Sequence, residues 1–408
     1  MPRLANFKSK GTQWRILLLS VVITLIGLIT LNGISYNEEF VFNNPFFKQT
    51  LFLIPSLICC IVVTFIPRFI IHKYSYILYS LGIIIVFLPF LTKTHVGTHR
   101  WLDVGLPFAI QTSEFTKIFI IIALARYLSD RTLVMRKFKS ILLPFLLAII
   151  PSIIVLKQPD LGTSIIMMIP VLPMLYWSGA RPFHLFLVIA PFLSVIAAFN
   201  TILFTLWAIL IGLVIFLSRS NILGSVLLFF GNLFLGLLTR PLWDTLKPYQ
   251  QNRVLTLLDP DKDPLGAAYQ IIQSKTAIGS GGVFGKGWGE GTQTHLKFLP
   301  VQESDFILSV IGEEFGFIAI SFILLCFAAL IHQVINSAYI SKDRFSSLAL
   351  IGLSTVLMSH VFVNTAMTVG LIPVKGLPFP FISAGGSFLI ATFTMIGLIL
   401  RLSNDELD

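Results

Sequence analysis

The chain has 408 residues, 55% of them hydrophobic and only 12% charged, with a mean hydropathy of +0.87. Soluble domains carry about 25% charged residues, so half that share, with 37 Phe, excludes a water-soluble globule of this length. The net charge of +10 gathers in no basic run interleaved with aromatic residues, which excludes nucleic acid as a partner.

A hydrocarbon core of about 30 Å is crossed by roughly 17–25 apolar residues in a helix. Stretches of that kind predict spans near 16–33, 50–66, 74–91, 113–129, 141–156, 162–178, 183–199, 201–218, 222–239, 306–332, 345–370 and 380–400. The expected fold class is an all-α polytopic membrane protein of about 12 transmembrane helices, a single domain over 1–408. The first span follows Arg3, Lys8, Lys10 and Arg15, as a signal peptide would. With no small-residue cleavage site and eleven further spans after it, it is expected to stay as an anchor. With the amino terminus inside, the inner segments hold 16 Lys and Arg and the short outer loops five, the bias of the positive-inside rule. Both termini are then cytoplasmic, and the basic charge reports topology. Cys59, Cys60 and Cys326 fall within spans as small apolar filler, and no Cys/His spacing suggests zinc.

That topology places one long loop, 240–305, outside the membrane. A loop so much longer than about 15 residues is functional or disordered. Tyr249, Tyr269, Ile271, Ile272, Trp288, Leu296 and Phe298 are the anchors expected to fold it. Its stretch Gly279-Ser280-Gly281-Gly282-Val283-Phe284-Gly285-Lys286-Gly287 is not a phosphate loop, which needs Ser or Thr after the Lys. Tight turns at the bilayer surface are the expected use of these glycines.

Ionisable groups in or at the mouths of spans are costly unless paired or wet, and so default to functional candidates. Glu114 and Lys117 are three apart on one helical face and can pair. Asp160 lies in Gln158-Pro159-Asp160-Leu161-Gly162, where Pro and Gly break the helix. Asp305 stands where the long loop enters the next span, and a helix-start carboxylate role is its structural alternative. Glu313 and Glu314, further along that span, are expected to pair with other helices rather than touch substrate. Glu114, Asp160 and Asp305 converge on the outer half of the membrane, where a lipid headgroup resides.

Around these residues the sequence resembles the SEDS family (shape, elongation, division and sporulation). The segments that carry the resemblance are Arg100-Trp101-Leu102-Asp103, Gln111-Thr112-Ser113-Glu114-Phe115-Thr116-Lys117, Gln158-Pro159-Asp160-Leu161-Gly162-Thr163 and Pro380-Phe381-Ile382-Ser383-Ala384-Gly385-Gly386-Ser387. In the loop, Leu246-Lys247-Pro248-Tyr249-Gln250, Leu258-Asp259-Pro260, Asp263-Pro264-Leu265-Gly266, Gly285-Lys286-Gly287-Trp288, Gly291-Thr292-Gln293-Thr294-His295-Leu296 and Asp305-Phe306-Ile307 are similar to the RodA branch. Val301, Glu303, Thr112 and Ala384 depart from the usual Glu, His, Pro and Tyr. The family commonly has ten spans, so 200–239 is expected to be an inserted two-span hairpin that keeps the sidedness of everything after it.

The resemblance implies a peptidoglycan glycosyltransferase of the bacterial inner membrane. Such an enzyme polymerises lipid II during cell elongation, beside a class B penicillin-binding protein that cross-links the strands. It implies Asp305 as the catalytic residue, with Glu114, Lys117, Asp160, Arg100, Trp101, Gln293 and Ser383 shaping the substrate site. A sugar hydroxyl is a poor nucleophile, and a positioned base contributes roughly 10²–10⁴-fold. The leaving pyrophosphate needs positive charge, which Lys117, Arg100 or a bound Mg²⁺ or other divalent cation could supply; no organic cofactor is expected. The competing reading is a lipid II flippase, because intramembrane charges and discontinuous helices also fit transport.

Overall fold

Lipid offers no hydrogen bonds, so an apolar segment crossing it satisfies its backbone internally, as helix. The computed structural model of the chain, which describes residues 2–35, 44–92, 99–103, 109–130, 139–217, 222–245, 251 and 268–404, follows that rule. Before the long loop run α1 (Pro2–Ile34), α2 (Pro45–Phe65), α3 (Arg68–Phe87), α4 (Thr112–Leu128), α5 (Lys139–Lys157), α6 (Leu161–Met168), α7 (Val171–Trp177), α8 (Pro182–Ala197), α9 (Thr201–Leu217) and α10 (Ile222–Asp244). Two-residue strands β1 (Trp101–Leu102) and β2 (Ile110–Gln111) pair antiparallel between α3 and α4. The loop contributes α11 (Tyr269–Gly281) and the single turn α12 (Thr292–His295); α13 (Ile307–Ile340), α14 (Arg344–Thr368) and α15 (Gly386–Leu402) follow. Among the described residues six helices are each long and apolar enough to cross a membrane. The chain is a multi-pass membrane protein with helix at each of the twelve expected places.

Two spans differ in detail from expectation. The segment 162–178 is two helices, because Pro170 at the head of α7 has no N–H to continue α6. The last helix begins at Gly386 rather than near 380, since Pro378, Pro380 and a turn about Ser383 occupy the intervening residues. There the Phe379 N–H donates to Ser383 Oγ at 2.8 Å.

Of those six long helices α14 is the most buried, and it is flanked by α4, α7, α13 and α15. Alongside it α15 packs on α2, and α3 on α4. At the rim α9 and α10 pack on α8 and on each other. Trp207 Nε1 donates to Ser194 Oγ at 2.9 Å, and Ser194 Oγ to Asn232 Oδ1 at 2.9 Å, stitching the three helices together.

The part of the loop from 268 to 305 is built into the bundle rather than laid over it. Helix α11 crosses α13 so closely that a Cβ on Gly281 would stand 1.9 Å from Gly312 O. Four residues on, α13 is broken at Gly316, whose φ of 75° lies in the left-handed region that glycine tolerates. The break frees backbone groups, and the loop takes them up. Lys286 and Gly287 N–H donate to the carbonyls of Glu313 and Glu314 at 2.9 and 3.0 Å. Phe317 and Ile318 N–H donate to Gly282 and Val283 at 3.0 and 3.2 Å. Of the expected loop anchors Ile271 is buried, whereas Trp288, Leu296 and Phe298 are exposed. Tyr249 and the motifs at 246–250, 258–260 and 263–266 lie outside the described residues.

Candidate functional site

At the loop end of the bundle a cavity of about 410 Å³ opens between four pieces of chain. The start of α2 contributes Pro45, Lys48, Gln49 and Phe52, and the β-hairpin contributes Trp101 and Gln111. The end of the loop supplies Glu303, Ser304 and Asp305; Gly376, Pro378 and the turn into α15 from Ala384 to Phe388 close the far side. Side chains of Gln49 and Ser383 hold this frame. Gln49 Nε2 donates to Ser383 O, and Gln49 Oε1 accepts from Gly385 N–H, both at 3.0 Å. Ser383 Oγ donates to Ser304 O, and Ala384 N–H reaches Glu303 O at 2.8 Å.

Asp305 sits two residues before α13. Its backbone carbonyl is fixed by Asn364 Nδ2 at 2.9 Å, and the same amide donates to Leu377 O at 2.8 Å. Its Oδ1 accepts from Ser304 Oγ at 3.2 Å. Burial pushes the Asp305 carboxyl up to about 6; the Ser304 hydroxyl and the charge of Arg100 oppose that rise, while Glu303 and Asp160 add to it. A carboxylate with that affinity accepts a proton near neutral pH and gives it up again.

Beneath the cavity floor lies a buried polar network. Lys117 Nζ donates to Glu114 Oε2 at 2.7 Å, with both residues 1% exposed. On its other side it meets His360 Nε2 at 2.8 Å, and it lies 5.7 Å from the centre of the Phe388 ring. A lysine ammonium only donates, so His360 Nε2 accepts and its Nδ1–H points to Pro378 O, 3.3 Å away. Asp160 caps α6 through Thr163 N–H at 3.1 Å and Thr163 Oγ1 at 2.9 Å. It also accepts from Gln111 Nε2 at 3.2 Å. Arg100 Nε donates to Gln158 O at 3.3 Å, and its guanidinium also holds Pro159 O.

Glu313 and Glu314 take their partners from the loop, not from neighbouring spans as expected. The carboxylate of Glu313 accepts from Lys286 Nζ at 2.8 Å, Thr292 Oγ1 at 3.2 Å, Gln293 N–H at 3.0 Å, and both N–H and Oγ1 of Thr294 at 3.2 and 3.0 Å. Glu314 Oε1 lies 3.7 Å from His295 Nε2. Gln302 Nε2 donates to Thr294 O at 3.1 Å, tying this turn to the residues just ahead of Asp305.

The cell cycle protein family model for FtsW, RodA and SpoVE matches residues 11–210 and 203–407. The chain belongs to this family, SEDS. Among curated relatives it is 34% identical to peptidoglycan glycosyltransferase MrdB of Escherichia coli K12, over 85% of this chain and 82% of that one. It is 30% identical to stage V sporulation protein E of Bacillus subtilis, over 95% and 96%. Its fold is that of a chain from a peptidoglycan synthase complex, with TM-score 0.72, 24% identity, and 96% and 97% of the two chains covered. RodA of Thermus thermophilus has the same fold, with TM-score 0.62, 22% identity, and 96% of each covered.

The SEDS motif residues thus fall into three places. Trp101 and Asp305 share the cavity wall. Glu114, Lys117, Asp160, Arg100 and Ser383 form the layer that holds the wall in position. Gln293 lies apart, bonding through its backbone to Glu313. Sequence reasoning missed His360, Asn364, Lys48 and Gln49. A histidine inside an apolar span carries the same signal of cost as Glu114, and His360 was legible on that ground.

Proposed function

We propose that the chain is a peptidoglycan glycosyltransferase that polymerises lipid II into glycan strands during cell elongation, with Asp305 as general base. The observation that carries this reading is Asp305 itself: a half-buried carboxyl on a cavity wall, held by Ser304 and Asn364, with its proton affinity raised to about 6. The acceptor 4-hydroxyl gives its proton to that carboxylate while its oxygen attacks the donor's anomeric carbon. The leaving diphosphate is already a stable anion, so no second carboxyl group is needed as acid, in contrast to inverting glycosidases. Trp101 offers a flat apolar face for a sugar ring. The similarity to MrdB and the Gly291-Thr292-Gln293 stretch support elongation over division.

Mg²⁺ uses one or two carboxylates and completes its shell with substrate phosphates. Glu303, on the same wall as Asp305, would hold such an ion and leave the Asp305 carboxylate free as base, and the ion would supply positive charge to the diphosphate. The protein lies in the cytoplasmic membrane with both termini inside and the loop outside, as the basic residues favour. Its partner is a class B penicillin-binding protein. The sequence has no Ser-x-x-Lys with a Lys-Thr-Gly set for transpeptidation, and a similar chain stands in a synthase complex that coordinates polymerization and crosslinking.

The test is glycan formation from labelled lipid II by the purified chain in detergent, where no second compartment exists. Wild type should make chains and Asp305→Asn should make none while still inserting and folding. Near-normal synthesis by that variant would remove Asp305 as base, and no synthesis by the wild type with its partner would favour the flippase. A transpeptidase-dead partner should raise the rate; equal rates would make the partner a passenger.

A further inference from the structure

The sequence leaves open which group faces the leaving diphosphate, and the geometry narrows the choice. Lys117 has Glu114 at 2.7 Å and His360 at 2.8 Å, is 1% exposed, and lies under Phe388 rather than on the cavity wall. Arg100 spends its guanidinium on the carbonyls of Gln158 and Pro159. Among the described residues that line the cavity, Lys48 is the one cation.

Its setting suits an anion. Lys48 lies in the first turn of α2, and its neighbour Gln49 is clamped to Ser383 and Gly385, so the lysine's root is fixed relative to the wall that bears Asp305. The first turn of α15, from Gly386 to Phe388, faces the same cavity with no side chain capping it. The unsatisfied N–H groups and positive dipole end of a helix start add to the pull of a lysine on phosphate oxygens.

We propose that Lys48 receives the leaving group, stabilising the negative charge that builds on the donor's lipid diphosphate as the new glycosidic bond forms. This rests on the glycosyltransferase reading above. The step balances as follows: the acceptor hydroxyl proton goes to Asp305, and the acceptor oxygen bonds to the anomeric carbon. The bond from that carbon to the diphosphate oxygen breaks, and its electron pair leaves with the lipid diphosphate. Charge therefore grows by one unit on the diphosphate, at the Lys48 side, while Asp305 is neutralised on its own.

The experiment compares wild type, Lys48→Ala, Lys48→Met and Lys48→Arg in detergent. It reads the maximal rate and KM for lipid II, and separately the binding of undecaprenyl pyrophosphate and undecaprenyl phosphate. Removing one group that faces developing charge lowers the rate about 10²–10³-fold. Lys48→Ala and Lys48→Met should lose about 10²-fold in maximal rate, with a smaller change in KM, and Lys48→Arg should stay within about tenfold of wild type. Affinity for the pyrophosphate should fall more than affinity for the monophosphate. Wild-type rates in Lys48→Ala, or equal losses for the two lipids, would overturn the role of Lys48. The binding arm needs no turnover, so it judges Lys48 even if the wild type makes no glycan, an outcome that would instead remove the glycosyltransferase reading. Lys48→Met keeps most of the apolar stem, so a defect confined to Lys48→Ala would indicate lost packing and overturn the proposal too.

Discussion

Lys117→Met tests whether the network under the cavity is a single electrostatic unit. The substitution keeps most of the stem and removes the ammonium, leaving Glu114, 1% exposed, without the donor that stands 2.7 Å away. Breaking a buried pair from one side costs about 3–5 kcal/mol, because a buried charge is left uncompensated. Glu114→Gln removes the counter-charge of Lys117 and leaves it only neutral acceptors, an amide oxygen and the His360 nitrogen, beside the Phe388 face, and should cost a comparable amount. The double variant strands neither charge, so its loss should fall short of the summed singles by at least about 2 kcal/mol, within the range for directly contacting pairs. Equilibrium unfolding in mixed detergent, followed by tryptophan fluorescence, gives the three differences. Additive losses, to within about 0.5 kcal/mol, or a single variant with the wild-type midpoint, would refute the coupling. His360→Ala should behave differently again. It frees Pro378 O on the cavity wall, so activity should fall more steeply than stability.

Asp305 gives two pH effects of opposite sense. Polymerisation should decline as pH falls through about 6, where the base takes up its proton. The raised proton affinity favours the native state at low pH, and that contribution is lost as pH rises through about 6. Asp305→Asn should therefore unfold at a higher temperature than wild type at pH 7.5 but not at pH 4, and a gain at both would point elsewhere. Gly281→Ala drives a methyl group into the Gly312 carbonyl and should cost about 1–3 kcal/mol, with faster proteolysis of the loop; an unchanged digestion pattern would contradict the crossing. Excision of 200–239 keeps the sidedness of Asp305. Polymerase activity should survive it at reduced stability, since Ser194 loses both Trp207 and Asn232; complete loss in a folded, correctly inserted variant would mean that the hairpin builds the site.

The spans were legible because length and hydropathy decide them, and neither depends on what a helix packs against. The pairing of Glu114 with Lys117 was legible as well, from spacing and the cost of burying charge. His360 carried the same signal of cost, but its place in that network was not legible, because only tertiary packing brings it from α14 to Lys117 on α4. Lys48 and Gln49 escaped for the opposite reason: they stand at a helix start, where polar residues are ordinary and carry no signal of cost. Gln293 shows a further limit. Its motif marks it as a site residue, yet spacing cannot separate a side-chain role from the backbone N–H that it gives to Glu313. The break at Gly316 is equally silent in sequence, since the residues on both sides are apolar.

That break divides the labour within α13. Below Gly316, roughly 24 residues rise about 36 Å, more than the hydrocarbon core of about 30 Å requires. The segment from Ile307 to Phe315 is therefore free of any duty to cross the membrane. It is a bracket: one end carries Asp305, the other is clasped by Lys286 and Gly287 through the carbonyls of Glu313 and Glu314. Lengthening or turning the bracket would re-aim the carboxylate over the cavity without unmooring the span below, so catalytic geometry and membrane anchorage can be adjusted independently.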